Sequence, residues 1–175
     1  MDPRDVLDHE SLRGGMTVYA YSVIGDYAQA SELFDGAVSE FLDGGDGVAG
    51  RQYPAVLFTN LIIDKVRHWV STRIEKLWSD TRLLDVATNE VREETERFIE
   101  DPDEELGIAS SLAVIKAIEE LDNDLCRAVL IWEFWGGKSS RQIATLLGCN
   151  KRVARKILWE ARRELAATLG DIVAN

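Results

Sequence analysis

The chain has 175 residues, 46% of them apolar, and a formal net charge of −11. This suffices for one medium domain or two small ones and excludes wholesale disorder. Two cysteines, Cys126 and Cys149, make no disulfide framework, no signal peptide precedes them, and no apolar run approaches the roughly 20 residues of a membrane span. The expectation is a soluble, cytoplasmic protein without membrane insertion, with both thiols reduced and buried.

Residues 1–15, MDPRDVLDHESLRGG, read as a polar tail closed by Gly14-Gly15. Residues 16–42 read as helical, with a break at Gly25-Asp26. A glycine-rich loop at 43–52 leads to Pro54, which suits the first turn of a helix running over 54–78 as one piece or two in series. The stretch TNEVREETERFIEDPDEE is strongly acidic, and Asp101-Pro102 ends any helix within it. It places a linker at 79–107 between a module at 16–78 and another at 108–170, with a short tail at 171–175. The second module is expected to hold helices at 108–120 and 122–135, the latter ended by Gly136-Gly137. Ser139 with Gln142 matches a capping box, Gly148 ends the short helix that follows, and Asn150 can cap the last one. Without alternating β-branched runs, the fold class is all-α: two helical modules joined by an acidic linker.

The charge is unevenly spread. Residues 1–78 carry net −5, 79–110 net −8 and 111–175 net +2, yet within 139–169 there are 7 basic and 2 acidic residues. Such a chain is ill suited to tight unaided binding of nucleic acid, whose affinity comes from phosphate neutralisation, but the local excess suits a docking face used with help. Two helices joined by a glycine-containing turn at 139–165 are a helix-turn-helix pattern. On a wheel of about 100° per residue, Arg155, Lys156, Trp159 and Arg163 fall within about 60° of Arg152. Val153, Ile157, Ala161 and Leu165 lie on the other side and are expected to pack on Ile143, Ala144, Leu146 and Leu147. The basic face can then enter a major groove.

The stretch RAVLIWEFWGGKSSRQIATLLG (127–148) aligns without gaps to "REVLxLRYxEGLSxxEIAxxLG", and NLIIDKVR (60–67) to "RNLAIDxLR". GDYAQASELFDGAVSEFL (25–42) fits "GDxEDAEDLVQETFLRAW". In these motifs, in their order and over about residues 17–169, the chain resembles the small extracytoplasmic-function type of bacterial RNA polymerase sigma factor, regions 2 and 4. The resemblance implies a non-enzymatic protein that binds core RNA polymerase and directs it to promoter DNA, with an anti-sigma factor as a further partner. By position it implies that Glu32, Leu33 and Asp35 meet the polymerase, with Trp132 and Phe134 as candidates for a second polymerase contact or for plain core roles. Asn60, Asp64, Arg67 and His68 are implied at the −10 element, and Arg141, Asn150, Lys151, Arg152, Arg155 and Lys156 at the −35 element.

The chain also departs from the pattern. Gly36 stands where the family is acidic, Lys138 where it is apolar, Ile157 where it has arginine, and Glu75 interrupts the basic run after Arg67. Together with net −13 over residues 1–110, these motivate an alternative: a sigma-like mimic that captures an anti-sigma factor. A stand-alone helix-turn-helix regulator is a third reading. Dispersed histidines and cysteines offer no metal-ligand spacing, and no nucleophile elbow or P-loop is present, so neither catalysis nor a cofactor is expected.

Overall fold

Caps and apolar stripes divide the chain into helices that then compete for one core. The computed structural model describes Val6 and residues 10–44, 53–73 and 112–174; the linker expected at 79–107 lies outside the described residues. Within them every regular element is an α-helix, and no helix is long and apolar enough to cross a membrane.

Helix α1 spans Glu10–Ile24, α2 Tyr27–Asp43 and α3 Pro54–Arg73. Gly25 separates the first two, and the Asp26 carboxylate caps α2 by accepting the Gln29 N–H at 3.1 Å. Ala30, Phe34, Ala37 and Phe41 recur at helical spacing and form the buried stripe of α2. Phe34 and Phe41 both set their rings edge-on to Phe58 of α3, with centroids 5.5 and 5.1 Å apart, and each pair adds about 0.5–1.5 kcal/mol beyond its burial. Lys65 reaches Glu40 at 2.6 Å across the same pair of helices.

The first helix corrects the expected tail. Rather than ending at Gly14-Gly15, the polar segment enters α1 at Glu10, and the helix runs through both glycines. The reason is a close approach. A Cβ at Gly15 would stand 2.7 Å from Cα of Gly136, so the α1 backbone rests directly on the turn that follows residues 124–134. A helix-weakening residue is therefore retained where only its missing side chain lets two backbones meet.

Four helices follow: α4 (Leu112–Glu120), α5 (Asp124–Phe134), α6 (Ser140–Leu147) and α7 (Lys151–Ala174). Asn123 caps α5, its side chain accepting from the N–H groups of Leu125 and Cys126. The run Ala128–Trp132 is buried without interruption, as is Cys126. A helix apolar all round must be covered all round, and α5 packs on α4 and α7 as well as on α1 and α3.

That packing revises the two-module expectation. Among the described residues, the buried apolar side chains of both halves form one continuous core. Polar contacts cross the seam as well. The Trp132 indole N–H donates to Thr59 Oγ1 at 2.8 Å, and the Tyr19 hydroxyl donates to Glu119 Oε1 at 2.5 Å. The Tyr19 ring also meets Trp135 edge-on, 5.6 Å between centroids.

Candidate nucleic-acid interface

The helix-turn-helix is assembled by local chemistry. Ser139 Oγ accepts the Gln142 N–H while Gln142 Oε1 accepts the Ser139 N–H, a reciprocal capping box that starts α6. Gly148 ends α6 in the left-handed conformation at φ 62°, and the Asn150 side chain accepts the Val153 N–H at 3.0 Å to start α7. No acidic residue sits in the first turn of either helix. The positive end of the α7 dipole is thus left available to an anion.

The rotation of α7 is set by its buried stripe, Ala154, Leu158, Ala161, Leu165 and Leu169. Val153, expected on the apolar side, is 42% exposed instead, and Ile157 is only half-buried. A second constraint is a fork between Arg162 and Glu133 of α5, Nε to Oε2 at 3.1 Å and Nη2 to Oε1 at 2.6 Å. Both side chains are mostly buried, so this pair pins α7 to α5 and turns Arg162 away from the basic face.

With that rotation, Arg152, Arg155, Lys156, Trp159 and Arg163 face outward together. Arg141 on α6, Asn150 at the cap and Lys151 are exposed beside them. All six residues expected at duplex DNA are thus exposed. Lys156 also lies 3.6 Å from Glu160, an exposed pair worth little to stability. Lys138, in the turn before α6, is only 8% exposed, and burial pulls its ammonium pKa below the ordinary value.

The residues expected at a single strand divide. Asp64, Arg67 and His68 are exposed on α3. Asn60 is 7% exposed and fully engaged: its amide donates to Val56 O at 2.9 Å and Asp124 O at 3.0 Å, and its Oδ1 accepts from Arg127 Nε at 2.9 Å. Arg127 in turn donates to Leu121 O at 3.0 Å and pairs with the Asp124 carboxylate. In this arrangement Asn60 is a structural bridge between α3 and α5, with no edge to offer a base.

The residues expected at the polymerase divide in the same way. Glu32 and Leu33 line an open groove of about 340 Å³ between α2 and α3, which His68 and Trp69 also line. Asp35 is exposed and lies 3.7 Å from Arg13. Trp132 is fully buried with its N–H satisfied by Thr59, so it is a core residue and not a docking surface. Phe134 is half-buried against the core, its ring edge-on to Trp135.

Two contacts add to the residues expected from sequence. One is the buried pair Tyr19–Glu119 with the charges of Arg67 and Arg127 nearby. Burial pushes the Glu119 carboxyl up to about 7, while the Tyr19 hydroxyl and the two guanidiniums hold it from rising further. Tyr19 is raised well above its ordinary value, first by burial and then by the Glu119 charge. The other is the Trp159–Arg163 pair, whose four-residue spacing is visible in the sequence. The thiols also differ: burial and the nearby Glu164 carboxylate push Cys126 up to about 12, whereas Cys149 is half-buried at the helix-turn-helix turn.

In comparisons with protein-family models, with curated proteins and with solved structures, nothing matches the chain.

Proposed function

We propose that the chain is a sigma-type initiation factor, which binds core RNA polymerase and carries it to promoters by reading duplex DNA with α7. The observation that carries this reading is the capped helix-turn-helix with its outward basic face on a chain of net charge −11. A strongly acidic molecule gains little from displaying such a face unless a polyanion is its ligand and a partner supplies the remaining affinity. The groove between α2 and α3, with Glu32 and Leu33 on its wall, is the surface assigned to the polymerase. Arg67 and His68, exposed on α3, are assigned to the −10 strand in place of the buried Asn60.

The test is run-off transcription with bacterial core polymerase on fragments of the source genome. Discrete start sites are expected, and they are expected to vanish in a folded Arg152→Ala/Arg155→Ala/Lys156→Ala variant that still binds core polymerase. Transcription without loss in that variant would sink the assignment of α7.

One observation favours a second reading. Asn60, one of the four residues that the resemblance implies at the −10 element, is sealed in the seam. A mimic that captures an anti-sigma factor needs the sigma-like surfaces without strand reading. It predicts stable capture of such a regulator, with no transcript from any fragment.

A further inference from the structure

An exposed tryptophan stands in the middle of the basic face. Trp159 keeps 44% of its surface open, while Trp132 keeps none and Trp135 only 9%. The Arg163 guanidinium lies over its ring, 4.8 Å from the centroid. On the helix wheel Trp159 and Arg163 each lie about 20° from Arg152, on opposite sides, so both belong to the stripe of Arg152, Arg155 and Lys156.

Their height along α7 gives them a different task from the residues at its start. At about 1.5 Å per residue, Trp159 stands about 12 Å beyond Lys151 and Arg163 about 18 Å beyond it. A major groove is about 12 Å wide. A helix inserted by its N-terminal end therefore has its first two turns among base edges and these two residues at the groove margin, where the sugar–phosphate backbone runs. We propose that Trp159 and Arg163 form a rim contact on duplex DNA: Arg163 engages a backbone phosphate, and Trp159 packs on the sugar and holds the guanidinium in place. This rests on the duplex-binding reading of α7.

The chemistry suits the position. A guanidinium stacked on an aromatic face keeps the N–H donors of its edge free for phosphate, and stacking restrains a side chain that otherwise loses rotamer freedom on binding. The neighbouring acid on this side, Glu160, is drawn to Lys156 and lies about 80° from Arg152, at the edge of the stripe. A duplex fits better than a single strand. Single strands are held in basic grooves by open aromatic faces, whereas this ring sits on a convex helix with Arg163 over it.

The experiment uses the full chain and a short, fluorescein-labelled duplex of random sequence, with anisotropy read over a range of salt. Arg163→Ala is expected to reduce the slope of log affinity against log salt by about one. Trp159→Ala is expected to weaken binding about fivefold, and Trp159→Phe by much less. In the double variant the two losses are expected to be less than additive, because the ring acts through the arginine. Both side chains are exposed, and unchanged thermal unfolding checks that the fold is intact. If wild type binds and the Arg152/Arg155/Lys156 variant does not, yet both rim variants bind as wild type, the rim proposal is overturned while α7 keeps its role. Additive losses, or tighter binding to the matching single strand, overturn it also. If the chain alone does not bind at low salt, the same variants are compared in its complex with core polymerase, and absence of duplex binding by wild type there overturns both.

Discussion

Asn60 shows how one side chain can exchange an expected role for another. Its amide group donates to the Asp124 carbonyl and its oxygen accepts from Arg127, both part-buried bonds that would otherwise be lost. Asn60→Ala is expected to lower stability by about 2–3 kcal/mol in urea unfolding, because removing one partner strands the others. Glu119 contributes a pH dependence near neutrality. Its folded pKa, about 7, lies above the ordinary 4.5, so between these values the folded state holds a proton that the unfolded state has lost. Stability from this group is therefore greatest below about 4.5 and falls as pH rises to about 7, by about 3 kcal/mol in all. Glu119→Gln keeps an acceptor for the Tyr19 hydroxyl and removes the titration. Its stability is expected to exceed that of wild type at pH 8 and to vary less between pH 5 and 7. An unchanged profile would show that Glu119 is not the group responsible.

At the scale of elements, what could be read from sequence was what is local. The capping box of α6, the left-handed Gly148 and the Asn150 cap each depend on residues within four positions, and all three are formed as expected. The start of α1 departs from the expectation because Gly14-Gly15 has the look of a terminus, and nothing nearby in the sequence reveals Gly136 beneath it. The two glycines are separable. A Cβ at Gly14 would meet nothing within 4 Å, whereas one at Gly15 would strike backbone at 2.7 Å. Gly14→Ala is expected to stabilise the fold by up to about 1 kcal/mol through better helix propensity and so to raise the melting temperature. Gly15→Ala is expected to lower it by forcing α1 off the α5 turn. Equal effects of the two changes would contradict the close approach. The burial of α5 is foreshadowed in AVLIW, five apolar residues in succession, but a separate module of its own offers no partner for every face of that helix. In the family pattern the residue aligned with Ala128 is glutamate. Ala128 is fully buried one turn before Trp132, which faces α3, so a glutamate there would lose its water. The seam partners of Asn60, Tyr19 and Trp132 lie 64 to 100 residues away in sequence, beyond any periodicity argument.

For the whole molecule, the shared core joins the helices before the acidic segment to those after it. One cooperative unfolding transition is expected by calorimetry, with equal calorimetric and van't Hoff enthalpies; two separable transitions would mean two independent modules. The closed body leaves the basic end of α6 and α7 outward while it buries Asn60 and Trp132. On the proposed function, duplex reading falls to α7 and none of it to the seam.

The most direct test uses the two thiols. Cys149 is half-buried beside the Asn150 cap, and Cys126 is buried with its thiol pushed up to about 12, so a maleimide-tethered iron chelate should couple at Cys149. Hydroxyl-radical cleavage of promoter DNA bound by the labelled chain and core polymerase then reports where the α6–α7 turn lies. A compact cluster of cuts in the upstream duplex is expected, lost on replacing Arg152, Arg155 and Lys156. Cuts dispersed along the DNA, or none in a complex that still initiates, would contradict the assignment of α7.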